Sequence, residues 1–244
     1  MKKLLLSVLC IMAAMQLFAQ KLEVTAGAYT GLMQYGGKSE SVNATSFLLI
    51  TNPPYQDISY TNNPYGTKTG TGFGGYGQAQ LVSKKGFIVG LQAGYEQLKS
   101  KVDITQVYVT DLMRASPADG PYAASGSTSL KTNFVNINPY IGYRLPVAVV
   151  DIDILAGMDF GFITSSRENG KATANGTTYT TNIDRKDIKN DKRLRFGAAA
   201  TYHRIAFNAS YAYGLSNYQE GYISGPAREA HTKVIRLGLS YRIF

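Results

Sequence analysis

The chain has 244 residues, 44% of them hydrophobic and 17% charged, with one cysteine, no tryptophan and 25 glycines. That composition excludes a disordered chain and a disulfide-stapled scaffold, and the lack of any run of about 18 apolar residues excludes a helical membrane span while leaving a membrane β-barrel open. The formal charge of +9 is spread over the whole chain with no dense Lys/Arg block and no nucleic-acid motif, so no nucleic-acid partner is expected, whereas an anionic membrane surface fits.

Lys2 and Lys3 precede an apolar stretch at 4–15 broken only by Ser7, followed by Leu17, Phe18, Ala19 and Gln20. This is the pattern of a secretory signal peptide over residues 1–19, cut after Ala19, leaving a mature domain of residues 20–244. Cys10 sits inside the apolar stretch without small residues before it, so lipidation is not expected. Cleavage would remove the only thiol and two lysines, taking the charge from +9 to +7 and leaving no disulfide or cysteine metal site.

From residue 21 onward, apolar side chains alternate with polar or small ones, the period of a two-faced strand. Eight such segments are predicted, at about 22–33, 71–82, 87–99, 131–145, 149–163, 192–202, 204–215 and 233–244. The connections alternate long and short: three long excursions of about 28 to 37 residues and a final one of about 17 are separated by tight turns at 83–86, 146–148 and 203. Short turns on one side and long loops on the other are the plan of an outer-membrane barrel, with both termini on the periplasmic side. The fold expected is therefore all-β, an eight-stranded antiparallel transmembrane β-barrel; ten strands is the alternative if a hairpin of the first loop enters the membrane.

One face of the segments is free of charge. The fifth gives Val150, Ile152, Ile154, Ala156, Met158, Phe160 and Phe162, and the seventh gives Ile205, Phe207, Ala209, Tyr211, Tyr213 and Leu215. Aromatics gather near the ends, as interfacial girdles require. Pro139 interrupts the fourth segment, and because proline cannot donate to a ladder, a bulge is predicted there.

The other face is polar and becomes the lumen. Assuming antiparallel pairing, Arg144 falls opposite Asp151 around the turn at 146–148, Asp159 falls near Arg195, and laying the last strand on the first puts Arg242 beside Glu23,. With Arg236, these residues form the predicted lumen charge network. An eight-stranded barrel is just wide enough for side chains to fill it, so the network reads as a salt-bridged plug; a narrow polar pore lined by Arg193, Arg195, Arg236 and Arg242 is the alternative.

The signal peptide ending LFAQ, the eight amphipathic segments and the final strand KVIRLGLSYRIF together resemble the small outer-membrane β-barrel proteins of OmpA, OmpX and OmpW type, and more closely the PorT-like outer-membrane β-barrel domain proteins. The resemblance covers the whole mature chain. It implies an outer-membrane location, lipopolysaccharide and other outer-membrane lipids as surroundings, and an assembly signal at Tyr241 and Phe244 read by the barrel-assembly machinery. Phe244 stands one step out of phase with the outward Ile243, which a terminal bulge or fraying would reconcile.

Catalytic sets are not assembled by the sequence. His203 occupies a tight turn on the periplasmic side and His231 starts the last strand without a serine and an acid at short offset on its face. Two histidines at opposite ends cannot share an ion and no acid cluster has ligand spacing, so neither metal nor cofactor is expected. The run TGTGFGGYG at 69–77 contains GxGxxG, but no helix or βαβ unit surrounds it, and glycines entering a curved strand account for it. The sequons at Asn43, Asn175 and Asn208 read as chance.

The loops hold the remaining functional signal. The first carries an apolar stretch and the tyrosines Tyr55, Tyr60 and Tyr65 within 46–65, and the second has strand-like alternation at 102–113. Either these segments pair above the membrane and bury their own apolar faces, or they form an exposed tyrosine-rich cap that binds an extracellular ligand or partner. The third loop, with Asn169-Gly170 and Asn175-Gly176, reads as a flexible solvated excursion. The expected function is a non-enzymatic outer-membrane protein, structural or binding through its loops; a narrow porin-like channel for small polar or anionic solutes is the competitor, and an outer-leaflet lipid enzyme a distant third.

Overall fold

The computed structural model describes residues 19–38, 43–50, 58–111, 119–185, 189–219 and 229–244. The expected signal peptide, apart from Ala19, lies outside them. Among the described residues eleven strands occur: β1 (Ala19–Gly36), β2 (Asn43–Ile50), β3 (Ile58–Thr61), β4 (Lys68–Ser83), β5 (Phe87–Asp111), β6 (Asp119–Val147), β7 (Val150–Ala174), β8 (Thr177–Asp184), β9 (Asn190–Tyr202), β10 (Ile205–Gly214) and β11 (His231–Arg242). No helix occurs among the described residues.

Eight of them close a ring by antiparallel ladders, in the order β1, β4, β5, β6, β7, β9, β10, β11 and back to β1. All eight predicted segments lie on these strands, and the fold is the expected all-β, eight-stranded antiparallel barrel. Closure satisfies every strand edge within the ring, which is what a β-structure needs where no water can serve the backbone. The turn end is built from tight connections in which Ala148 and His203 take positive φ of 53° and 54°. At the other, loop end the chain makes its long excursions.

The outward face is apolar around the girth: Ile137, Ile141, Ile154, Phe196, Phe207, Leu237 and Leu239 all stand exposed, Ile141 at 65%. Aromatics edge this belt. At the turn end Phe87 and Tyr143 pack edge to face at 5.4 Å and Tyr202, Tyr241 and Phe244 stand exposed elsewhere around the rim, while Phe73, Tyr95, Tyr211 and Tyr213 stand at the loop end. A continuous belt of exposed aliphatic side chains this large is stable only where its surroundings are themselves apolar.

Beside register shifts near the ends of the β1–β4 and β4–β5 ladders, three local features bear on the sequence reading. The bulge expected at Pro139 is absent: Pro139 pairs with Leu91 on β5, and the ladder to β7 passes over Asn138 and Pro139 and resumes at Tyr140 opposite Gly157 in unchanged register. Losing two rungs on one side accommodates the missing N–H without an inserted residue. The bulge lies instead in β7, where Asn133 pairs with Ser165 but Phe134 with Ile163, leaving Thr164 as the extra residue. Because side chains alternate with period two, that insertion swaps the inward face: Asp153 and Asp159 point in below it, Ser166, Glu168, Ala172 and Ala174 above it. A second bulge ends the chain. The amides of Ile243 and Phe244 both donate to the Val24 carbonyl, at 2.8 and 3.3 Å, and both side chains stand exposed, so the phase mismatch in the sequence is absorbed by two residues facing one.

Above the ring, β5, β6 and β7 continue upward as an upper storey. β2 runs parallel to the upper part of β5, β3 pairs with β2 and β8 folds back on β7. The first-loop and second-loop segments thus pair with each other, as one of the two sequence readings had it. The third loop is not a solvated excursion: its residues extend β7 and form the β7–β8 hairpin, turned at Asn175 and Gly176 with φ of 49° and 78°, the pair of left-handed residues that a two-residue hairpin turn demands.

Candidate functional site

Elementary electrostatics dictates how a narrow barrel can hold charge: a buried ion is tolerated only when paired and hydrogen-bonded. Two ion-paired layers meet that requirement inside the ring. In the layer near the turn end, Glu23 is fully buried and takes both Nη atoms of Arg144 at 2.9 Å, Gln80 Nε2 at 2.9 Å and Arg242 at 3.4 Å. Arg144 grips Asp153 with Nε and Nη2 at 2.7 and 2.8 Å, while Asp151 lies 3.7 Å away. Lys21, at 3.0 Å from Glu23, completes a set of three acids and three bases.

In the layer toward the loop end, Glu96 is the hub. Arg236 reaches its two oxygens at 2.9 and 3.0 Å, Arg193 approaches at 2.6 Å and the Tyr29 hydroxyl donates at 2.9 Å. Arg236 also contacts Asp159 at 2.9 Å, Arg193 contacts Asp191 at 2.9 Å, and Arg195 lies 3.5 Å from Asp159. Again three carboxylates face three guanidiniums. Arg193 lies over the Phe134 ring at 4.6 Å, adding a cation–π contact in a dry setting.

The predicted network residues divide between the two layers, Glu23, Arg144, Asp151 and Arg242 in one and Asp159, Arg195 and Arg236 in the other, and three registers differ from those expected. Arg144 is the cross-strand partner of Asp153, with Asp151 opposite Pro146, and Asp159 is the partner of Arg193, with Arg195 opposite Gly157. The turn between β6 and β7 is Ala148–Val149, not 146–148, which moves the pairing by two; Asp151 and Arg195 keep their contacts as diagonal neighbours, within reach of a long side chain. Arg242 likewise pairs with Thr25 and reaches Glu23 diagonally. Glu96, Asp153, Asp191 and Arg193 belong to the network although the predicted set omitted them. Their inward phase is legible in the alternation, but Glu96 meets Arg193 and Arg236 across the lumen, between strands that are not neighbours, and no pairing rule in one dimension reports that.

Between the layers lies a cavity of about 40 Å³ lined by Tyr29, Tyr76, Asn138, Tyr140, Arg195 and Asn208, and another of about 30 Å³ beside Glu23 and Arg242. Glycines make room for the tyrosines: a Cβ on Gly74 would sit 2.4 Å from the Tyr29 ring and one on Gly90 2.3 Å from the Tyr140 ring. The same holds for the glycine-rich run, since a Cβ on Gly70 or Gly72 would lie 2.1 Å from a β5 carbonyl; the run serves close strand approach.

Above the Glu96 layer an aromatic plug closes the ring. Tyr35, Tyr65 and Tyr218 pack edge to face with centroids 5.0, 5.1 and 5.7 Å apart, joined by Met33, Leu98, Leu130, Phe134 and Val234. The Tyr218 hydroxyl donates to Asp191 at 3.0 Å, and burial pushes its phenol well above the usual range, so it stays a donor. Of the tyrosines proposed for an exposed cap, Tyr65 is thus buried in the plug, where its ring finds the apolar surface it needs. Tyr60 is half-buried with Arg185 over its ring at 5.9 Å, and Tyr55 lies outside the described residues.

The upper storey has its own centre. Glu168, fully buried, accepts from Thr61 Oγ1 at 2.7 Å, Thr128 Oγ1 at 3.1 Å and Arg185 Nε at 2.8 Å; with the Ser59–Thr181 hydroxyl contact at 2.9 Å this joins β3 to β8. Further up, Ile104, Val107, Ala172 and Ala174 form a small apolar core. His203 packs on Tyr202 in its turn and His231 bonds the Ser216 carbonyl at 3.0 Å. Among the described residues no group of three His, Cys, Asp or Glu side chains has metal-holding geometry.

No family model matches the sequence and no curated protein matches it. Among solved structures the chain is similar to Ail, the attachment invasion locus protein of Yersinia pestis, at 12% identity over 92% of this chain and 100% of that chain, TM-score 0.37. It is similar to Neisserial surface protein A at 10% identity over 92% and 100%, TM-score 0.39. The translocator domain of the autotransporter NalP from Neisseria meningitidis aligns at 8% identity over 96% and 92%, TM-score 0.31. These are likenesses to small outer-membrane barrels; the eight-stranded closure itself rests on the ladders of this chain.

Proposed function

We propose that the protein is a non-enzymatic outer-membrane β-barrel of the small, PorT-like kind, its lumen sealed and its business done by the upper storey, which it holds rigidly outside the cell as a structural or binding platform. The observation that carries this reading is the filling of the lumen: two layers of equal acids and bases and a three-tyrosine plug stand in series inside a ring whose outer face is apolar. Sealing a barrel while building three of its strands well beyond the apolar belt directs function to that extension. In this reading Tyr241 and Phe244, both outward at the end of β11, form the signal for the barrel-assembly machinery, and the surroundings are outer-membrane lipids and lipopolysaccharide.

The test is conductance of the refolded protein in a planar bilayer, with heat-modifiable gel mobility establishing that it folded as a barrel. A folded, silent barrel is the expected result. Steady ohmic conductance that changes when Arg195 or Arg236 is neutralised would replace this reading with the channel for small polar or anionic solutes.

A further inference from the structure

Directly opposed like charges weaken a β-ladder, yet the outward face of the upper strands carries a row of them. Lys99 on β5 pairs with Lys131 on β6, and Lys131 pairs with Arg167 on β7: three cations side by side on three neighbouring strands. One rung higher, Lys68 and Lys101 are ladder partners on β4 and β5. The acids near them stand at the margins, Asp103 bonded to Lys68 at 2.5 Å and Asp184 at 3.9 Å from Arg167. Among the described residues neither Lys99 nor Lys131 has an ion-pair partner. Buried neighbours on either side in sequence, Leu98 and Ser100, Leu130 and Thr132, Ser166 and Glu168, turn all three cations outward.

The height of the row is set by the ladders. Tyr95, Val135 and Phe162 form one rung, and all three are exposed members of the apolar belt. Gln97, Asn133 and Ser165 form the next, and the cation row follows. Four residues of β5 separate Tyr95 from Lys99, about 13 Å of strand and about 10 Å along the barrel axis at a tilt of about 40°. A headgroup region extends about 5–7 Å beyond the hydrocarbon on each side of a bilayer, and a lysine side chain reaches back toward it.

We propose that Lys99, Lys131 and Arg167 form a binding site for the phosphate groups of a phosphorylated glycolipid in the outer leaflet, which supplies the counter-charge the ladder lacks. This rests on the outer-membrane reading above and deepens it: the site would hold one face of the barrel against the lipid that surrounds it. The closely spaced cations suit a headgroup bearing two phosphates. Ser129, Asn169 and Asn182 form the rung above. Arg167 Nε donates to Asn182 Oδ1 at 2.7 Å, which fixes its guanidinium, the Ser129 hydroxyl donates to the Asn169 carbonyl at 3.2 Å, and the exposed side-chain amides of Asn169 and Asn182 suit a sugar.

The test refolds the protein in phosphatidylcholine vesicles doped with bisphosphorylated lipid A, with its dephosphorylated form, or with phosphatidylglycerol, and measures the lipid retained by the extracted barrel. The protein should retain the phosphorylated glycolipid over both others, and the triple variant Lys99→Gln/Lys131→Gln/Arg167→Gln should lose at least about ten-fold in retention, at about 1 kcal/mol per cation at a membrane surface. Lys84→Gln/Lys85→Gln, at the opposite end, should retain it fully. Equal retention by the triple variant overturns the site, and equal retention of phosphatidylglycerol overturns the glycolipid as its occupant. If no vesicle yields a heat-modifiable barrel, the membrane reading itself fails; a folded barrel without lipid preference overturns this proposal alone.

Discussion

The ring and the upper storey are built from the same strands and closed by different means. In the ring every strand has a hydrogen-bonded neighbour on both sides, so closure belongs to the backbone, and the ion-paired layers fill a space that the ladders have already defined. In the upper storey β3 and β8 meet through side chains, chiefly Thr61, Glu168, Arg185 and the Ser59–Thr181 contact. Closure by backbone tolerates the loss of a side chain; closure by one carboxylate does not. The difference also separates the apolar belt, closed entirely by ladders, from an upper part held across one seam by side chains.

The sharpest way to break the comparison is insertion of one alanine between Ser165 and Ser166, above the bulge. It should move the upper half of β7 by one residue against β6, turn Glu168, Ala172 and Ala174 outward, and dissolve the upper storey while the ring stays closed,. Limited proteolysis should then cut within 100–130 and 165–185 in a protein that keeps its heat-modifiable mobility; a protease-resistant upper storey would show that β7's phase does not govern it. Glu96→Ala attacks the ring instead, leaving Arg193 and Arg236 without their shared partner. The expected loss is about 3–5 kcal/mol, the cost of an uncompensated buried charge, read from the urea midpoint of unfolding in vesicles. An unchanged midpoint would mean that water reaches that layer freely. Glu168→Gln should cost less, about 1–3 kcal/mol for the weakened seam, and should raise amide exchange in β3 but not in β1 or β11. Equal exchange increases in all three strands would merge the two storeys into one cooperative unit. The smallest effect belongs to Tyr218→Phe, which deletes only the bond to Asp191, worth about 1 kcal/mol; bilayer conductance should stay at baseline, since the ring stacking of Tyr35, Tyr65 and Tyr218 remains.

Legibility followed the range of the interaction. All eight ring strands were visible because alternation is local: a residue's face depends only on its parity within its strand. The inward phase of Glu23, Arg144, Asp159 and Arg236 followed, and the expected pairs Arg144–Asp151, Asp159–Arg195 and Arg242–Glu23 stand as diagonal contacts, because a long arginine reaches past its direct partner. The contacts of Glu23 with Arg144 and of Asp159 with Arg236 cross the lumen and were not legible. The β6–β7 register was displaced by a turn at Ala148–Val149; the β7–β9 and β1–β11 registers were displaced because no tight turn in the chain fixes them. Pro139 misled because a missing donor can be accommodated by skipped rungs as well as by a bulge. Thr164, with no unusual chemistry of its own, became the bulge because Asn133 and Phe134 face different registers on β7. Loop three was misjudged because its polarity reflects an upper storey that is solvated outside, not one that lacks structure; Asn175-Gly176 was the hairpin signal within it.

By itself the sequence determined the number of strands in the ring, the parity of each ring face and the presence of tight turns at one end, since each depends on residues adjacent in the chain or on the period of two. Only the tertiary structure decided that Glu96 binds Arg193 and Arg236 across the lumen, that Tyr35, Tyr65 and Tyr218 converge into a plug, that three cations line up on one rung, and that Glu168 ties β3 to β8. Each of those contacts joins residues far apart in the chain, brought together by the curvature of the closed sheet and by ladder registers that one inserted residue can shift.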